Sequence, residues 1–196
     1  MKKTIPLHTL EAVVSFSYKG ASPALLGKCA KDGISFTFFD RNGRYLASVS
    51  HLENGNVLLR REQFRIADDE QRAGRIAQAF LAGKLYNSKS VISRAERDHK
   101  LQIDVDAIRN AKERISEYLL AIKNTSKLSS LRGIEGNAAE EYFGVFDELV
   151  LQNKAFFIFD KRSRRPPLDP VNALLSFVYI MLANDCASAL LSVGLD

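Results

Sequence analysis

Leu131–Phe143 reads LRGIEGNAAEEYF and Arg162–Tyr179 reads RSRRPPLDPVNALLSFVY, and these two stretches decide how the second half of the chain is built. Ala138, Ala139, Tyr142 and Phe143 fall at helical spacing, so a helix is predicted from about Glu135 to near Val150. Glu135 lies between Gly133 and Gly136, which places it at a glycine-flanked turn just ahead of that apolar face. Lys161, Arg162, Arg164 and Arg165 then crowd into a basic loop stiffened by two prolines. A lone carboxylate set against a basic rim suits a metal ion handling a phosphodiester. The same glutamate reads as an ordinary capping or solvated side chain, and the loop as a solvated turn. The residues alone leave both readings open.

Asp169 and Pro170 form a cap and first residue for the last helix. Val171, Leu174, Leu175, Val178, Leu182, Cys186, Ala189 and Leu190 make one stripe of it, and Phe177, Ile180 and Met181 make the opposite face apolar too. A helix of that kind is predicted to be buried on most sides, with Gly194 ending it. Ahead of the basic loop, Ala155–Phe159 is a short apolar run predicted to be extended.

Working back, acids at Asp68, Asp69 and Glu70 open a long helix, with Ile76, Ala79, Phe80, Gly83 and Leu85 in helical spacing as it runs toward Arg97. A second helix opens at Asp104 and carries Val105, Ile108, Ile115, Leu119 and Ile122; Lys123–Ser130 reads as a loop or a helix start. The first third alternates and breaks often. Ala12–Phe16 and Ile34–Phe39 read as strands, with a short helix between them capped by Ser22 and opened by Pro23. Asn42-Gly43 is the hairpin signal that returns the chain as Tyr45–Ser50. Val57–Ile66 fits a strand or the approach to a helix. The fold class is therefore α+β: a small β-rich N-terminal domain over residues 1–67, then an all-α domain over 68–196.

The 196 residues are 46% hydrophobic and 26% charged with a net charge of +5, a globular composition that permits an acidic partner. No apolar run approaches a bilayer span and no signal peptide opens the chain, which points to a cytoplasmic protein without a membrane partner. Cys29 and Cys186 are predicted to be two buried thiols rather than a disulfide. Three motifs carry little. Ser22–Cys29 (SPALLGKC) lacks the first glycine and the final hydroxyl of a phosphate-binding loop. Asp104-Val105-Asp106 is better explained by helix capping than by a metal pair. His8, His51 and His99 have no spacing of a zinc site or a catalytic triad. On the first long helix, Lys84, Asn87, Lys89 and Arg94 loosely define one polar, cationic face.

Five blocks occur in order over nearly the whole chain: Ile5–Val49, Leu59–Phe64 (LRREQF), Gly83–Arg94 (GKLYNSKSVISR), Arg132–Phe143 and Arg162–Leu182. Together they resemble the CRISPR-associated adaptation integrases, metal-dependent endonucleases that insert new spacers into CRISPR arrays, with the strongest likeness to subtype I-C. The resemblance implies a homodimer formed through the β-rich domains and a complex with the small ferredoxin-like second adaptation protein. It implies prespacer and CRISPR-repeat DNA as substrates, with a DNA 3′-hydroxyl as nucleophile. It gives Glu135 the role of ligand to Mn²⁺ or Mg²⁺, for which a hard carboxylate oxygen is suited. It gives Lys84, Asn87, Arg94, Arg162, Arg164 and Arg165 the role of DNA-binding residues, with salt-sensitive phosphate contacts.

The chain departs from the family pattern in two places. The family's histidine and aspartate metal ligands lie on elements beyond the position of Asp196, and further strands precede the segment matching IPLHTLE. A partial chain, inactive by itself, is the resulting expectation, with an open sheet edge and an uncovered apolar face over 171–193. A non-catalytic DNA-binding or dimerisation module derived from the family is the alternative.

Overall fold

The computed structural model describes residues 4–49 and 56–196. The chain divides into two compact units. One combines Met1–Gln63 with Leu175–Asp196, and the other is Phe64–Leu174.

In the first unit, β1 (Ala12–Ser15), β2 (Ser35–Phe39) and β3 (Tyr45–Val49) form one sheet in that order. β1 and β2 run parallel, joined through α1 (Pro23–Lys31), and β2 and β3 are an antiparallel hairpin. Ser22 caps α1 by accepting from Leu25 N at 3.2 Å. At the hairpin, Asp40 Oδ1 accepts from the N–H groups of Asn42 and Arg44 at 2.8 Å each, and Gly43 takes the positive φ of 78° that the turn needs. Cys29, Ile34 and Phe36 form the core, and Phe16 stacks on Phe39 with ring centroids 5.2 Å apart. Ser50 and His51 lie outside the described residues.

The second unit is helical. α2 (Val57–Asp68), whose residues up to Gln63 belong to the first unit, is a helix, which resolves Val57–Ile66 in favour of helix over strand. α3 (Glu70–His99) starts one residue after the cap Asp69, whose carboxylate accepts from Gln71 N and Arg72 N at 3.0 Å. α4 (Val105–Ile122) is capped by Asp104 through Asp106 N and Ala107 N, as capping rather than metal chemistry requires. α3, α4 and α5 (Leu128–Gly144) pack on one another around Leu85, Ile92, Ile108, Ile115, Ile122 and Leu131. Each fully buried isoleucine there contributes about 1.5–3 kcal/mol over leaving it exposed. Gly74 lets α3 approach the α4–α5 connection, because a Cβ there would sit 1.9 Å from the Ser126 carbonyl oxygen.

Several sequence expectations need correction. α5 begins at Leu128, not near Glu135, and gives way at Gly144 to a 3₁₀ turn over Phe146–Leu149. Gly133 and Gly136 are helical positions whose missing Cβ atoms face open space, so they make no turns. Their helix penalty of roughly 0.5–1 kcal/mol each is offset by burial of Leu131 and Ala138 on the other side. Ala155–Phe159 is not a strand: residues 154–156 form a turn, and Phe156 and Ile158 are exposed.

α6 (Pro170–Ser192) is the larger departure. Only Val171 and Asn172 are buried, while Leu174, Val178 and Leu182 are exposed, so the helix is not buried on most sides. The expected uncovered face over 171–193 is only partly seen, since Val171 is buried, Leu175 and Met181 are half-buried and the Phe177 ring centroid lies 5.3 Å from that of Phe16. Cys186 is exposed, and of the two thiols only Cys29 is buried. With 23 residues and a mean hydropathy of 1.7 over an 18-residue window, α6 is also long and apolar enough to cross a bilayer, which corrects the expectation that no run reaches that length. Core helices of soluble proteins pass the same test.

Candidate functional site

Glu135 projects from the middle of α5, two turns from either end, on a helix fixed by the buried Leu131 and Ala138. Its Oε1 accepts a hydrogen bond from Lys84 Nζ on α3 at 2.6 Å. These two residues are 51 positions apart in the sequence, and packing of α3 on α5 brings them together. Both side chains are half exposed (53% and 48%), so the pair is worth about 0–1 kcal/mol, and a competing cation or anion would displace it at little cost. A groove of about 360 Å³ opens beside them, lined by Ala77, Phe80, Leu81, Leu128, Leu131 and Arg132. Phe80, counted by its helical spacing with the apolar positions of this helix, is 77% exposed and lines the groove, and the Arg132 guanidinium beside it is a feature that periodicity did not mark out.

Asn87 and Arg94 continue the exposed side of α3 beyond Lys84. Arg94 Nε is spent on Asp98 Oδ2 at 3.4 Å, one turn further on. Asp98 in turn accepts from Arg97 Nε at 2.8 Å, and Arg97 and Arg94 together hold its carboxyl below the usual aspartate range.

The basic loop is anchored at both ends. On its N-terminal side, Phe159 is buried against Phe143 and Phe146, and its N–H donates to Asp147 Oδ1 at 3.0 Å. On its C-terminal side, Asp169 Oδ1 accepts from Asn172 N at 2.7 Å, the cap anticipated from Asp169-Pro170. Between them, Arg162 is half buried and directs Nη1 to the Ser163 carbonyl at 2.6 Å and to Asn172 Oδ1 at 2.7 Å. Lys161, Arg164 and Arg165 are exposed. Ala139, Glu140, Phe143 and Gly144 of α5 face Asp160, Lys161, Arg162 and Arg164 across a pocket of about 380 Å³. Ala139 is one helical turn on from Glu135, so the carboxylate and the basic loop occupy successive turns of one side of α5.

A divalent ion of the Mg²⁺ or Mn²⁺ type requires several oxygen ligands in near-octahedral array. Glu135 provides a hard carboxylate, already paired with the Lys84 ammonium. Among the described residues there is no group of three or more His, Cys, Asp or Glu placed to hold a metal ion. These residues therefore do not fit a complete metal site by themselves.

The chain is thus a two-unit α+β protein: a small mixed sheet, and a helical unit in which Glu135 lies one turn from a loop where Lys161, Arg162 and Arg164 stand with the carboxylates of Glu140 and Asp160. The model of the family described as "CRISPR associated protein Cas1" matches residues 1–196. The chain belongs to that family. It is 43% identical over 195 residues to "CRISPR-associated endonuclease Cas1 1" of Chlorobaculum tepidum and 42% identical over 199 residues to "CRISPR-associated endonuclease Cas1 2" of Rhodospirillum rubrum. All of this chain is covered in both cases, and it spans 57% of the length of each relative. Among solved structures, a CAS1 protein from Thermotoga maritima superposes with a TM-score of 0.74 at 25% identity, covering 99% of this chain and 58% of that one. A Cas6-RT-Cas1–Cas2 complex matches at a TM-score of 0.72 and 28% identity, over all of this chain and 21% of its own. A casposase bound to integration product shares the fold at a TM-score of 0.76, with 22% identity over 95% of this chain and 50% of that one.

Proposed function

We propose that this chain is the Glu135-bearing part of a CRISPR-adaptation DNA endonuclease and integrase that works with Mn²⁺ or Mg²⁺, in the cytoplasm and without a membrane partner. The observation that carries the reading is family membership over all 196 residues, joined to the position of Glu135 and the basic loop on successive turns of α5. Glu135 would be the oxygen donor that this chain offers to such an ion, and a bound Mn²⁺ or Mg²⁺ would supply polarisation of a phosphodiester. Further ligands would be needed to complete the coordination.

The chain's own side chains do the remaining work. Arg164 and Arg165 neutralise backbone phosphates, with Arg162 adding its charge to the loop and Lys84, Asn87 and Arg94 extending the track along α3. Such binding weakens steeply as salt rises. The substrates are prespacer and CRISPR-repeat DNA. The β-rich residues 1–67 would form a homodimer, and the small ferredoxin-like second adaptation protein is the further partner, the latter favoured by the Cas1–Cas2 complexes among the structural relatives. The subtype I-C likeness belongs to this reading as well.

A second reading, a non-catalytic DNA-binding or dimerisation module, is favoured by the Lys84 ammonium on Glu135 and by the lack of a three-ligand group among the described residues. Mn²⁺-dependent cleavage of branched DNA separates the two. It is measured for this chain and for one extended to the length of its relatives, each with and without Glu135→Ala. Cleavage by either chain that Glu135→Ala abolishes, with DNA binding retained, supports the enzyme. Cleavage untouched by the substitution removes Glu135 from the site, and no cleavage by either chain favours the binding module.

A further inference from the structure

Asn172 stands in the first turn of a largely apolar helix, yet it is completely buried (0% exposed), whereas Asp185 further along is exposed. Oδ1 accepts from Ser163 N at 2.9 Å and Arg162 Nη1 at 2.7 Å. Nδ2 donates to the Lys161 carbonyl at 2.8 Å and to Asp169 Oδ2 at 2.5 Å. A carboxamide has two donor hydrogens and two principal acceptor sites, and all four are used here. Three of the four bonds go to the consecutive residues Lys161, Arg162 and Ser163. Ser163 Oγ then accepts from Leu168 N at 3.0 Å, closing the segment that contains Arg164 and Arg165.

No other side chain of this size makes that set of bonds. Aspartate lacks the two Nδ2 hydrogens and would bury a charge beside Asp169. Leucine, which would suit the rest of α6, makes none of the bonds and would leave the Lys161 carbonyl and Ser163 N–H without this partner. Helix formation alone does not call for a buried amide here, because Asp169 already caps α6 through Asn172 N.

We propose that Asn172 is a positioning residue for nucleic-acid binding. It locks the 161–163 backbone so that Arg164 and Arg165 meet a DNA phosphate backbone from a loop already ordered. The proposal rests on the reading of that loop as a phosphate-binding element. An ordered loop forfeits less conformational freedom on binding than a floppy one, so loss of the lock lowers affinity without removing any DNA contact.

The test is a double-mutant cycle on a fluorescein-labelled forked DNA duplex, read by anisotropy over a salt series, with thermal melts run alongside. R164A/R165A is expected to weaken binding and flatten the salt slope by about two. N172A is expected to weaken binding about tenfold, the effect of freeing one or two ordered side chains. In the R164A/R165A background, N172A should cost no further affinity while still lowering the melting temperature, a split that a purely structural role would not produce. Equal loss in both backgrounds, or no loss in either, overturns the proposal while the loop's phosphate role stands. Unchanged binding by R164A/R165A overturns the phosphate role and the proposal with it. If N172A melts too low to assay, Ser163→Ala removes only the Leu168 bond and takes its place in the cycle; a loss that adds to R164A/R165A then overturns the proposal.

Discussion

α4 and α6 are both long and rich in large aliphatic side chains, and they end in opposite environments. α4 spaces Ile108, Ile115 and Ile122 seven residues apart, and these are 0%, 0% and 1% exposed. α6 distributes apolar side chains on every side, and Leu174, Val178 and Leu182 remain 55–57% exposed. A stripe tells its neighbours where to sit, and α3 and α5 meet that of α4 along the same line. An all-round apolar helix gives no such direction, so its sequence shows that burial would be favourable without showing what provides it.

The largest effect that tests this contrast is in α4. Ile115→Ala is expected to cost about 2–5 kcal/mol by urea denaturation, since the site is fully enclosed and collapses poorly. A cost below about 1 kcal/mol would mean that the α3–α4–α5 core is not the stabilising centre.

A smaller effect lies on the polar side of the same helix pair. Glu96 of α3 is held below the ordinary glutamate value of 4.5 by hydrogen bonds from Lys112 and then Arg109 of α4. Because its folded pKa is depressed, its contribution is fully present above pH 4.5 and is lost as pH falls through the lowered folded value. Urea midpoints of the wild type and Glu96→Gln should therefore differ near neutrality and converge in acid. A gap unchanged into strong acid would show that the ion pairs to Glu96 are not its origin.

The smallest effect belongs to α6. Leu182→Gln should shift stability by no more than about 0.5 kcal/mol and reduce self-association in light scattering, as expected for an exposed position. A loss of about 2 kcal/mol or more would instead show that the α6 face is covered in solution, by a second copy or another element, and would erase the contrast with α4.

Much of the fold was legible because its signals are local. The β2–β3 hairpin at Asn42-Gly43, the caps at Ser22, Asp104 and Asp169, and the spacing of the α4 isoleucines each act within one or two turns of chain. The start of α5 was missed because glycine propensity argued for turns at Gly133 and Gly136, while Leu128 and Leu131 gain more by docking on α3 than the glycines lose. α2 was ambiguous because Val57–Asp68 buries no residue, so no apolar stripe announces its period.

The candidate site divides in the same way. The sequence by itself determined the residue types: one carboxylate in EG context at 135, a run of cations at 161–165, and polar groups along α3. Only the tertiary structure joined Lys84 to Glu135 across two helices, aligned the basic loop with the next turn of α5, and spent the whole hydrogen-bonding capacity of Asn172 on that loop. Caps and turns are fixed by atoms a few bonds apart, and a sequence states them directly. Pairings between elements depend on which faces pack and at what register, and those are set by the summed burial of side chains far apart in the chain.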